Sequence, residues 1–129
     1  MRDLEHAKAM LTAAQKDLRA LTGMQDSNVF ADEIFGFHGQ QAVEKALKAW
    51  MSALGLIYPR THDVGRLLTL LENRGEDVTP YWPLAAYNMF VAQARYEGME
   101  SSDEPLDRHV MIEEVNTLVR HVERIVETE

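Results

Sequence analysis

The chain contains no cysteine, which excludes disulfides, thiolate nucleophiles and cysteine-held zinc or iron–sulfur centres. Long apolar runs are missing too. The start, Met1-Arg2-Asp3-Leu4-Glu5-His6, turns at once into charged amphipathic sequence and offers neither a signal peptide nor a membrane span. We therefore expect a cytoplasmic protein that does not enter a membrane. No segment alternates with period two, so no strand is expected, and there is no internal repeat or low-complexity tract. GxSxG, GxxxxGK[ST] and HExxH are all absent, which removes nucleophile-elbow, P-loop and zincin chemistry. No histidine has a glutamate three residues before it, so a ferritin-like di-metal bundle is excluded as well. Neither a cofactor nor a metal is expected. Positive charge is in deficit, with a net charge of −8, and an acidic protein is repelled by phosphate backbones, so broad non-specific nucleic-acid binding is not expected.

What is present fits one ordinary globular domain over residues 1–129, with 46% hydrophobic and 26% charged residues. A chain of this size buries roughly 65 to 70% of the surface that its unfolded form exposes, enough to fold without a metal or a disulfide. Leu4, Ala7, Leu11, Ala14, Leu18 and Leu21 recur at three- and four-residue steps, predicting an amphipathic helix from Asp3 to Leu21. A second helix is predicted from Val29 to Leu54, after the cap candidates Asp26, Ser27 and Asn28 and before Gly55. Pro59 stiffens the connection Tyr58-Pro59-Arg60-Thr61-His62-Asp63. Thr61 or Asp63 then caps a third helix, Val64 to Arg74. Thr79-Pro80 opens a fourth helix carrying Leu84, Tyr87, Val91 and Ala94, whose start Pro83 can shift by one turn. A last helix runs from Leu106 to Glu127 with Met111, Val115, Leu118, Val122 and Ile125 along its seam. The fold expected is all-α, an up-and-down bundle of four to five helices.

The second helix has two faces. Val43, Leu47, Trp50 and Leu54 share one side with Gly36 and Gly39, each glycine costing about 1 kcal/mol relative to alanine. Close approach of another helix would offset that cost, whereas a nucleic-acid-clamping GxxG loop must lie between two helices rather than inside one. The other side begins with Phe30, Ile34 and Phe37 and turns polar through His38, Gln41, Glu44, Lys45 and Lys48. Two explanations stand at this point: helix two emerges into solvent with Glu44 and Lys48 as an i,i+4 pair, or the face forms a pocket or wet interface. Residues 38–66 hold four strong bases (Lys45, Lys48, Arg60, Arg66) against two acids (Glu44, Asp63), so any anion should be sought there. On the last helix, His109 and Glu113 read as an exposed i,i+4 ion pair.

The run Phe35-Gly36-Phe37-His38-Gly39-Gln40-Gln41-Ala42-Val43-Glu44-Lys45-Ala46-Leu47-Lys48-Ala49 resembles the FhaQQAaEKaLKA signature of the HEPN domain family. Thr61-His62-Asp63 before an aliphatic helix, and Ala94-Arg95-Tyr96, resemble the family's second and third landmarks. The resemblance covers nearly the whole chain and implies a bundle of four or five helices, commonly a homodimer. In prokaryotes such proteins stand beside a separately encoded minimal nucleotidyltransferase in toxin–antitoxin-like pairs. Carried over by position, the implied nucleotide-binding residues are His38, Gln41, Lys45, Lys48, His62 and Arg95. Gln41 offers donor and acceptor to a base edge, Lys45 and Lys48 supply phosphate charge, and Arg95 with Tyr96 supply a fork and a stacking surface. A helix-end core aromatic is the alternative for Tyr96.

The sequence departs from the ribonuclease members of the family in one respect. Those carry an Arg, four to six residues and then a His near the start of the last helix, where the pair can act as general base and phosphorane stabiliser. Here Arg108-His109 and Arg120-His121 are adjacent pairs, and no arginine has a histidine at the family's spacing. A nucleotide- or RNA-binding protein acting with a nucleotidyltransferase is therefore expected, ahead of a metal-independent ribonuclease toxin or a non-catalytic dimeric interaction module. The apolar seams of the two end helices also point to a homodimer.

Overall fold

The computed structural model describes residues 3–91 and 106–128. Among these residues there are five helical elements and no strand, an all-α helical bundle. Helix α1 spans Leu4–Gly23, with Asp3 as its cap: the Asp3 side chain accepts a hydrogen bond from the His6 N–H at 3.0 Å, satisfying one orphan donor of the first turn. Ala7, Leu11, Ala14 and Leu21 of the predicted seam are buried, and they pack on α2, Asp32–Ala53. Helix α2 is the central element, with 15 of its 22 residues buried against α1, α3 and the last helix.

Helix α2 begins three residues later than its hydrophobic pattern suggests. The Asp26 side chain accepts from the Asn28 N–H at 2.9 Å, and the Asp26 carbonyl accepts from the N–H groups of Val29 and Phe30, which makes a separate turn. Ala31 is then extended (φ −62°, ψ 151°), so helical geometry starts only at Asp32. At the other end, Gly55 takes φ +79°, with Leu56 N–H donating to the Met51 carbonyl and Gly55 N–H to that of Ser52. This Schellman closure ends α2 and turns the chain back towards α1.

Helix α3, Val64–Asn73, is capped by Asp63, whose side chain accepts from Arg66 N–H, while Thr61 accepts from Asp63 N–H. The segment predicted as a fourth α-helix is instead a 3₁₀ helix over Thr79–Asn88. Pro83 lies inside it, where a missing N–H and a ring that collides with the preceding turn disallow the α-helical ladder. Leu84 is buried as expected, and Asn88 holds the start of α3 by accepting from Val64 N–H at 2.9 Å and donating to Asp63 at 2.8 Å. Ala94 lies outside the described residues.

Helix α4, Arg108–Thr128, starts two residues past Leu106 because Asp107 caps it, accepting from Val110 N–H. Met111, Val115, Leu118 and Val122 are buried as predicted, and Val126 rather than Ile125 completes the buried stripe. The glycines of α2 receive their packing explanation here. A Cβ at Gly36 would overlap the Phe90 ring, and one at Gly39 would overlap the Met111 side chain. Close approach therefore comes from side chains seated in the glycine notches, from α4 and from the stretch after the 3₁₀ helix.

Candidate functional site

The polar face of α2 divides into two carboxylate-centred nodes. In the first, Glu44 accepts from Lys48 Nζ at 3.0 Å, from His62 Nδ1 at 2.8 Å and from Gln40 Nε2 at 3.3 Å. Gln40 is fully buried, and it also donates to the His62 carbonyl at 2.7 Å. The connection after α2 is thus folded back and held on this face by both the ring and the backbone of His62. Bonding to a carboxylate fixes the proton of a neutral His62 on Nδ1 and leaves Nε2 as the ring's acceptor.

The Glu44–Lys48 pair is not the solvated surface pair that its spacing allows. The two side chains are only 6% and 11% exposed. Tyr58 covers Lys48, whose ammonium lies 5.3 Å from the ring centroid. Burial pushes the Tyr58 hydroxyl above its ordinary range, and the charges of Glu44 and Asp3 push it further in the same direction. The hydroxyl shares a hydrogen bond with His6 Nε2, and the two rings stack with centroids 5.7 Å apart. A cavity of about 410 Å³ opens beside them, lined by Asp3, His6, Ser52, Gly55, Leu56, Ile57 and Tyr58.

The second node joins α2 to α1. Asp17 lies 2.6 Å from Lys45 Nζ and 3.3 Å from His38 Nδ1. The lysine–carboxylate pair is more open here than in the first node, with Lys45 28% and Asp17 14% exposed, whereas the histidines run the other way, His38 at 34% against His62 at 52%. Gln41 lies between the nodes and donates to Gln40 Oε1 at 2.8 Å. The structure therefore brings His38, Gln41, Lys45, Lys48 and His62 onto one face, while Arg95 and Tyr96 lie outside the described residues.

The electrostatics of this face differ from the charge count along residues 38–66. Asp17 and Glu44 balance Lys45 and Lys48, and Asp63 offsets one further charge, so a single excess positive charge remains, shared by Arg60 and Arg66, both exposed and without a carboxylate partner among the described residues. Sequence reasoning missed Asp17 and Gln40. Asp17 sits three residues from Ala14 on the seam of α1, a position flanking the buried stripe, and that was the available signal. Gln40 was present in the signature but lay on neither face singled out.

The adjacent Arg108 and His109 face different surroundings. Arg108 is buried, donating to the carbonyls of Met24 and Phe30 at 2.6 Å and to Asp32 at 2.8 Å, with its guanidinium 4.9 Å from the Phe35 ring centroid. It clamps the turn before α2 to the start of α4. His109 is 75% exposed and pairs with Glu113 at 3.0 Å, as the i,i+4 spacing predicts. Among the described residues no group of His, Asp and Glu is arranged to hold a metal ion, and no helix is long and apolar enough to cross a membrane. The family model described as the HEPN domain matches residues 4–129. No curated protein and no solved structure matches the chain.

Proposed function

The chain belongs to the HEPN domain family, and from that premise we propose that it binds a nucleotide or RNA on the α2 face and acts with a separately encoded minimal nucleotidyltransferase. The observation that carries this reading is the double attachment of His62, whose ring meets Glu44 at 2.8 Å and whose carbonyl meets Gln40 at 2.7 Å. That attachment draws the connection bearing Arg60 and Thr61 over the helix bearing His38, Gln41 and Lys45. It concentrates hydrogen-bonding groups of both kinds, partly exposed, on a helix that is otherwise packed. In this reading Lys45 and His38 meet the phosphate, Gln41 and His62 Nε2 meet the base or sugar, and Arg60 and Arg66 supply the long-range attraction for an anion. Arg95 belongs to the same proposal through the family signature. Lys48 takes a different role from the one the family resemblance implied: its charge is engaged by Glu44, and it holds the face in shape.

The engagement of Arg108 inside the bundle supports a binding protein over a ribonuclease, because that guanidinium already has three partners. The working form in this proposal is a cytoplasmic homodimer in a toxin–antitoxin-like pair. Calorimetric titration across a nucleotide and short-RNA panel tests the face. We expect Lys45→Ala to weaken binding by about tenfold or more, equivalent to about 1.4 kcal/mol. Wild-type protein that binds nothing at millimolar concentration, or a variant that binds equally well, overturns the reading. Light scattering tests the assembly, where a mass of 14.7 kDa at every concentration removes the homodimer.

A further inference from the structure

Resting on the reading just given, we propose that Asp17 determines which anion the face accepts, and that the accepted group is a phosphomonoester rather than an internal phosphodiester. The Asp17 carboxylate occupies the place between Lys45 Nζ (2.6 Å) and His38 Nδ1 (3.3 Å) that a phosphoryl oxygen would take. It belongs to α1 while both of its partners belong to α2, so it is a carboxylate delivered by one helix to a lysine and a histidine of another. Lys45 and His38 remain partly open to solvent, whereas Asp17 lies deeper, at 14% exposure. An anion arriving from outside meets Lys45 and His38 with a resident negative charge behind them.

Charge arithmetic then decides what binds. A phosphodiester carries one negative charge, as the carboxylate does, so exchanging one for the other gains no Coulomb energy and loses a bond already made. A phosphomonoester carries about −1.5 to −2 at pH 7 and presents three acceptor oxygens. It can outcompete a carboxylate for Lys45 and His38 and still offer an oxygen to Gln41, which lies three residues beyond His38 and four before Lys45 on the same helix face. Gln41 has donors to spare, since only one hydrogen bond of its amide N–H₂ goes to Gln40. The exposed Arg60 and Arg66 attract both kinds of anion, the more highly charged monoester more strongly, but they are the same in every variant of Asp17. The part of the selectivity that changes with residue 17 therefore rests with Asp17. Two sources share this chemistry, a free nucleotide 5′-monophosphate and the 5′-phosphorylated end of an RNA.

The test compares the full-length wild type with Asp17→Asn, which keeps size and hydrogen-bonding shape, and Asp17→Glu, which keeps the charge. The probes are adenosine 5′-monophosphate, a diadenosine dinucleotide with one internal diester, and hexaadenylate with either a 5′-phosphate or a 5′-hydroxyl, each titrated by calorimetry. We expect wild type to favour the monoester of each pair by about tenfold or more. Asp17→Asn should tighten the diester ligands and narrow that ratio by about tenfold, and Asp17→Glu should restore it. Circular dichroism identifies any variant that has lost its helices, and Asp17→Glu supplies the second comparison if Asp17→Asn is among them. Stronger binding of the phosphorylated hexamer than of the mononucleotide would assign the site to an RNA end, and the reverse to a free nucleotide. If wild type binds but the ratio is the same in Asp17→Asn, the role of Asp17 is overturned while the face stands. If no probe binds wild type or variant, the face itself falls.

Discussion

Glu44 and Asp17 each hold one lysine of α2 and one histidine, yet the two nodes differ in connectivity and in the burial of the lysine–carboxylate pair. Around Glu44 the lysine is four residues away on α2, the histidine comes from the next connection, and a fully buried glutamine supplies a third donor. Around Asp17 the partners come from another helix, and both are partly exposed. A carboxylate with a lysine and a histidine thus serves two purposes. Where the carboxylate and its lysine are buried, three donors lock a connection in place even though one of them, His62, is half exposed, because removing a donor leaves a buried charge short of compensation. Where water reaches the pair, the same contact contributes little to stability and can be exchanged for a ligand.

The comparison breaks most readily at Lys48. Lys48→Ala should lower unfolding free energy by about 3 kcal/mol, at the low end of the 3–5 kcal/mol range for breaking a buried pair, because His62 and Gln40 still donate to Glu44. Urea denaturation measures this. Replacing both partners, Glu44→Gln with Lys48→Met, should recover most of the loss, since neutral groups of similar volume need no charge compensation. A single variant that loses less than about 1 kcal/mol would place the Glu44 node in the same class as an exposed pair and erase the distinction. The same reasoning makes a Lys45→Ala, Lys48→Ala double variant a poor probe of binding, because its Lys48 half disturbs the fold.

At the Asp17 node the effect on stability should be smaller. Lys45→Ala is expected to cost about 1 kcal/mol or less in the same denaturation experiment, while carrying the loss of ligand affinity described above. A stability loss equal to that of Lys48→Ala would make Lys45 a structural residue and remove the reason for regarding its node as exchangeable.

The sequence made the bundle legible because helical periodicity is a property of single segments. The buried stripes of α1 and α4, and the glycine notches of α2, could be read one helix at a time. His109 with Glu113 was legible for the same reason, since both ends of the pair lie on one face of one helix. What escaped was whatever a second segment imposes. Asp17 reaches Lys45 from 28 residues away, and no window along α2 contains it. Glu44 and Lys48 have the spacing of a surface pair, and only the folding back of Tyr58 and His62 buries them. The late start of α2 reflects the local turn at Asp26 and a clamp from Arg108, which lies far along the chain. Pro83 was visible as a disturbance, but a shifted α-helix and a 3₁₀ helix both accommodate a proline near the first turn, and the pattern alone does not choose between them.

The smallest expected effect sharpens the comparison by removing a titration that belongs to neither node. The His121 ring on α4 lies 4.7 Å from the Trp50 ring centroid and 5.6 Å from that of Tyr81. Burial pushes its imidazole below the ordinary value of 6.5, and Arg124 adds to the shift, while Glu76 and Asp77 oppose it. A depressed folded-state pKa means that the unfolded chain takes up the proton first as pH falls. The stability tied to neutral His121 is therefore complete above pH 6.5 and declines as pH drops through that value towards the folded-state pKa. The ring is partly exposed, so solvent screening keeps the effect modest. His121→Phe keeps an aromatic ring against Trp50 and Tyr81 but cannot titrate. Urea midpoints at pH 7.5 and 5.5 should fall less in His121→Phe than in wild type. In that background, the stabilities of variants at Glu44 and at Asp17 can be compared without a contribution from His121. An equal fall in both proteins would mean that His121 does not contribute to the acid side of the stability profile.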